Sequence, residues 1–206
     1  MATSLSLEND SSLAQGYLKV NGTTAATLTT SGITGNLTGN VTGNVTGSLT
    51  QGGSLTLGTA QTASGTAVDF TGIPSWVKRI TVMFNGVSLS GSSSPLIQLG
   101  TSSGPTISGY ISQSAGITAG VGVTSYTTGF GIRSNGNANL VYGAASIVTQ
   151  GNNLWNAFGV LSLQTDEAFT VSGGITLSGA LDRLRITTVN GTDTFDAGTI
   201  NISYEG

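Results

Sequence analysis

The run Val77-Lys78-Arg79-Ile80-Thr81-Val82-Met83-Phe84 is β-rich and ends at Asn85-Gly86, a dipeptide that commonly closes a β-hairpin. Farther along, Leu184 and Ile186 alternate with Arg183, Arg185 and Thr187, and a second such dipeptide, Asn190-Gly191, follows. The last run has the period of a half-buried strand: Ile200, Ile202 and Tyr204 share one face, and Thr199, Asn201 and Ser203 the other. Further β-rich runs cover 95–99, 121–132, 139–149, 154–164 and 168–177, separated by Gly and Ser clusters. No helical period emerges, apart from a turn expected near Leu5–Gln15. The pattern predicts an all-β chain, with a jelly-roll-like β-sandwich of roughly eight strands as a head domain over 66–206.

Outward from that core the chain changes character. Only Tyr17 of the aromatic residues precedes Phe70, so the first third lacks the large side chains that dominate cores. Within it, Ile33, Leu37, Val41, Val45 and Leu49 recur every fourth residue in a Thr-Gly-Asn background. Gly, Asn, Thr and Val all oppose a helix. In an extended chain, one face is apolar or Gly and the other is Thr, Asn and Ser. Such a strand reaches about 55 Å over this stretch and cannot satisfy its own backbone groups. Identical copies would satisfy them, so 32–57 reads as an intertwined β shaft, most simply in a homotrimer, with Ile33, Leu37, Val41, Val45 and Leu49 at its centre; the alternative is a flexible Gly/Thr linker, which needs no strict apolar beat. The domain reading is an attachment segment over 1–31, a repeat shaft over 32–65 and the head over 66–206.

Composition excludes much chemistry. Gly, Ser and Thr fill 90 of 206 positions, only 15 residues are charged, and there is no His and no Cys. A Ser-His or Cys-His relay is impossible, and zinc loses its usual N and S ligands. With a net charge of -3 and six Lys and Arg, the chain is unsuited to a phosphate backbone or a polybasic membrane patch. No apolar run is long enough to span a bilayer, and the first residues lack the pattern of a signal peptide. No enzyme activity, cofactor, metal, nucleic-acid partner or membrane insertion is therefore expected.

The carboxylates support the same expectation. Asp166 and Glu167 are neighbours, which on a strand point to opposite faces, so they make a poor glycosidase pair. Asp182 beside Arg183 reads as a surface ion pair, and Asp193 with Asp196 as turn residues rather than a cation site. Aromatic residues in Gly/Ser/Asn-rich surroundings suit sugar recognition, so Tyr126, Phe130, Tyr142 and Trp155 are candidate receptor contacts. Arg133, the only charge between Arg79 and Asp166, joins them as a candidate grip on an anionic group. Phe84, Phe169 and Trp76 are expected in the core.

Two blocks carry a family resemblance. They are Val68-Asp69-Phe70-Thr71-Gly72-Ile73-Pro74 with Val77 through Ser88, and Leu177 through Glu205. Both resemble a C-terminal domain of tailed-bacteriophage fibre and virion structural proteins, and the Gly-Asn-Val-Thr repeats look like the shafts of such proteins. The resemblance implies a homotrimeric virion fibre of the tail-fibre type. It would lie on the particle exterior, be held to other virion proteins through 1–31, and adhere to a host-surface receptor, a glycan or a protein. The alternative it implies is a capsid-bound head fibre or decoration protein with a structural role. It carries over no catalytic residue.

Overall fold

The computed structural model describes residues 5–10, 15–20, 23–29, 32–34, 55–117, 122–133, 139–164 and 167–206. The chain divides into two compact units, 1–47 and 48–206.

The first unit contains a four-stranded antiparallel meander: β1 (Leu5–Asp10), β2 (Gln15–Val20), β3 (Thr23–Thr29) and β4 (Gly32–Thr34), in that spatial order. The helical turn expected near Leu5–Gln15 is replaced at Leu5–Asp10 by a strand. Leu5 and Leu7 alternate with Ser6 and Glu8, which is the period of a strand. Ile33, the first apolar residue of the repeat, pairs with Leu28 inside this meander. Leu37, Val41, Val45 and Leu49 lie outside the described residues.

The second unit contains β5 (Thr56–Leu57), β6 (Gln61–Thr62), β7 (Val68–Thr71), β8 (Arg79–Leu89), β9 (Pro95–Thr101), β10 (Gly104–Pro105) and β11 (Ile111–Ile117). After them come β12 (Val123–Tyr126), β13 (Phe130–Gly131), β14 (Val141–Gly151), β15 (Leu154–Leu163), β16 (Glu167–Thr176), β17 (Arg183–Thr188) and β18 (Phe195–Glu205). They form two antiparallel sheets. The smaller runs β10-β9-β17-β7 with β13 also on β9; the larger runs β12-β11-β16-β15-β14-β8-β18-β5 with β6 also on β18. One buried cluster draws on both sheets: Phe70, Leu99, Leu184 and Ile186 from the smaller, Ile80, Val82, Phe169 and Ile202 from the larger. Strand β18 alternates as expected over Thr199–Ile202, with Ile200 and Ile202 buried, whereas Ser203, expected on the polar face, is buried as well. Tyr204 is partly buried and packs on Trp76, their rings 5.8 Å apart.

Residues 55–65, assigned from sequence to the shaft, belong to this unit. Thr56–Leu57 and Gln61–Thr62 extend the larger sheet by pairing with β18. The edge of β18 needs hydrogen-bond partners, and these short strands supply them.

Neither Asn-Gly dipeptide makes the hairpin expected of it. Strand β8 runs straight through Asn85-Gly86, because β14 and β18 flank it on both sides and hold it extended. Gly86, at φ 65°, instead absorbs β-bulges, where pairing with β18 shifts around Ala197. Asn190-Gly191 does turn the chain, closed by Gly191 N–H donating to Thr188 O at 3.1 Å. It leads from one sheet to the other, since β7 and β9 already occupy both edges of β17. The tight two-residue hairpin is at Asn152-Asn153, between β14 and β15, with φ of 51° and 59°. Positive φ at both central residues is what a type I′ turn demands, and Asn tolerates it better than other side chains.

Tyr110 ties the two sheets. Its hydroxyl accepts from Leu99 N–H at 2.7 Å, and its ring meets Phe130 edge-on at 5.1 Å. Burial pushes the Tyr110 pKa well above the ordinary tyrosine range, against the opposing effect of the Leu99 hydrogen bond. A raised folded-state pKa means the stabilisation is whole below the unfolded value, near 10, and is lost as pH climbs beyond it. Chemical denaturation should show a steep loss of stability above about pH 10. Tyr110→Phe should flatten that slope while costing about 1–3 kcal/mol at pH 7, because Leu99 N–H loses its acceptor.

Candidate functional site

The structure scatters the five candidate receptor residues. Phe130 is 0% exposed and packs in the core. Tyr126 is buried against Gly131 and its hydroxyl donates to Ser94 Oγ at 3.1 Å. Trp155 faces inward from β15 and is 4% exposed, yet it lines a groove at one end of the sheets. Tyr142 is 37% exposed on the outer face of the larger sheet. Neither Tyr126 nor Phe130 offers an open ring face to a receptor, because the strands that carry them turn those rings toward the interior.

Arg133 is half-buried, and the structure gives it neighbours that sequence spacing hid. Its Nη1 donates to Gly122 O at 3.0 Å, and its backbone N–H donates to Ser114 Oγ at 3.1 Å. A Cβ on Gly116 would stand 2.5 Å from Glu167 Oε1 and 2.6 Å from Arg133 Nη1, so the two charged groups converge on one glycine. They lie 34 positions apart in the chain, and strand β11, which the sequence reading passed over, brings them together. Glu167 is buried. Asp166, its expected neighbour, lies outside the described residues.

The C-terminal carboxylates serve the loops. Asp193 accepts from Ser93 N–H at 2.9 Å and from Asn190 Nδ2 at 2.8 Å, while Asp196 bonds Ser88 on β8. Asn190 Oδ1 accepts from the Thr192 and Asp193 N–H groups at 3.1 Å each. These bonds, Asn190 first and Ser93 second, hold the Asp193 carboxyl below its ordinary pKa. The Ser93 amide resonance should therefore titrate with a midpoint below 3.8, and the loop should loosen only as pH falls through that lowered value. A midpoint above 3.8 would contradict this bonding. No cluster of three acidic metal-ligand residues occurs among the described residues.

Two surfaces among the described residues combine apolar and uncharged polar groups. The first is the outer face of the larger sheet, where Phe158 and Val160 are 53% and 59% exposed. Cross-strand partners Ser146, Ser172, Ala144 and Thr170 flank them. It is an uncharged patch of mixed apolar and hydroxyl character. The second is a pair of grooves among the loops at one end of the unit. One, of about 350 Å³, is lined by Lys78, Thr149, Asn152, Asn153 and Trp155; the other, of about 450 Å³, by Thr101, Ser102, Ser103, Ser178 and Asp182. Ser75, Ala180 and Leu181 line both, so the grooves adjoin. Sequence reasoning found Trp155 but missed the serines, because three separate loops bring them together.

No protein-family model matches this chain, and no curated protein or solved structure matches it either.

Proposed function

We propose that this chain is a bacteriophage virion fibre protein of the tail-fibre type, a non-enzymatic homotrimer that adheres to a host-cell surface receptor, most simply a glycan. Residues 1–31 attach it to other virion proteins, the repeat over 35–54 forms the intertwined shaft, and the C-terminal unit is a jelly-roll-like head. One observation carries the reading. The two blocks that resemble the fibre family pair with each other in both sheets: β17 with β7, Arg185 opposite Asp69, and β18 with β8, Ile202 opposite Val82. The resemblance therefore covers a coherent framework rather than two unrelated strings. The chain between the blocks supplies most of the exposed outer face and two of the groove-lining loops. The uncharged outer face with Phe158 and Val160 also suits contact between identical heads.

Adhesion gains from number, since three heads per fibre and many fibres per particle multiply weak contacts. The test is direct. The purified full chain should sediment as a trimer and should bind cells of a permissive host. A monomer that binds no permissive host overturns the proposal. A trimer that binds no host, seen on the capsid by particle imaging, would assign it to a head fibre or decoration role.

A further inference from the structure

We infer that the two adjoining grooves form one binding site for a neutral oligosaccharide; this rests on the adhesion reading and assigns it a place on the molecule. Four connections build the site: the β7–β8 loop, the β9–β10 turn, the β14–β15 turn and the β16–β17 loop. Loops usually move, and ordering them on binding costs affinity. These are fastened to one another by backbone hydrogen bonds. Ile73 N–H donates to Asp182 O at 2.8 Å, and Asp182 N–H donates to Gly100 O at 3.0 Å. Leu177 N–H donates to Asn153 O at 3.0 Å, and Thr149 N–H to Lys78 O at 3.0 Å. The walls are thus set before any ligand arrives.

The lining selects the ligand class. Ser75, Ser102, Ser103, Ser178, Asn152 and Asn153 offer hydroxyls and amides, which both donate and accept, as sugar hydroxyls do. Lys78 and Asp182 are the ionisable lining residues, and Arg183 beside the second groove pairs with Asp182 at 3.4 Å, so the site lacks the cluster of unpaired basic groups that a polyanion such as a nucleic acid or a polyphosphate requires. Trp155 adds an aromatic edge to the first groove. A peptide strand would need a free sheet edge, whereas this lining comes mainly from loops between strands. The combined space, about 350 Å³ and about 450 Å³, is of the size that holds small ligands rather than a single ion.

The full chain, applied to an array of O-antigen and capsular oligosaccharide fragments, should bind at least one neutral fragment. Ala180 is exposed and lines both grooves, so Ala180→Phe fills the site from its shared wall without touching the core. It should weaken that binding at least tenfold. Val189→Ala, at an exposed position just past β17 that lines neither groove, should leave it within twofold. Ser178→Tyr, also exposed and in the second groove, repeats the test should Ala180→Phe fail to fold. Equal binding by wild type and the filled variant overturns the grooves as the site and leaves adhesion standing. A chain that binds host cells but no oligosaccharide overturns the ligand class alone. A chain that binds neither overturns both this inference and the adhesion reading.

Discussion

Gly198→Ala is expected to lower the stability of the C-terminal unit by about 2–4 kcal/mol, a large part of the margin that holds a domain folded. Gly198 sits at φ 88° in β18, and a Cβ there would stand 2.3 Å from Gly86 O and 2.6 Å from Val87 N. Both obstacles are backbone, so neither moves without breaking the pairing of β18 with β8. Gly72 provides the control, with φ 72° and nothing within 4 Å of a built Cβ. Gly72→Ala should cost only about 1 kcal/mol, the conformational penalty alone. Urea denaturation of the two variants separates close approach from backbone strain, and equal losses would show that the bulge relaxes around the methyl group.

Phe130→Ala is expected to cost about 3–5 kcal/mol, the range for emptying a fully buried aromatic site. The ring is 0% exposed and meets Tyr110 edge-on at 5.1 Å, and its strand pairs with β9 at Ile97. Phe158→Ala, which removes a ring that is 53% exposed, should cost less than about 1 kcal/mol. Thermal unfolding compares them. The same pair separates core from receptor contact at Phe130, which the sequence marks as a candidate. Full stability with lost cell binding would place the ring at the receptor instead of in the core.

The strands were more legible than their connections. Runs at 95–99, 139–149, 154–164 and 168–177 coincide closely with β9, β14, β15 and β16, because alternation and β-branched side chains are local properties. Strand β11, Ile-Ser-Gln-Ser-Ala-Gly-Ile, was not legible: its centre is Ser, Gln, Ala and Gly, and its buried Ser112 and Ser114 look like surface residues. Their burial makes sense only once Ser112 Oγ accepts from Gly131 N–H and Ser114 Oγ from Arg133 N–H, each at 3.1 Å.

Turn chemistry misled for a related reason. Asn85-Gly86 and Asn152-Asn153 both allow positive φ, but only the second pair has a strand end on each side. The first is enclosed by β14 and β18, and a strand with partners on both edges cannot reverse. Among the candidate site residues, Trp155 reaches a groove and Tyr142 an exposed face, while Tyr126 and Phe130 turn inward. Residue type could not distinguish them, since an aromatic ring suits a core and a sugar equally well.

By itself the sequence determined the all-β class, most of the strands, the partition of aromatics after Phe70, and the absence of His and Cys chemistry. These follow from composition and from a period of two, which need no knowledge of neighbours. Only the tertiary structure decided that Arg133 and Glu167 converge on Gly116, that Gly198 must be glycine, and that serines from separate loops share a groove with Ala180. Each depends on which strands lie side by side, and pairing brings together residues whose separation along the chain carries no trace of their distance in space.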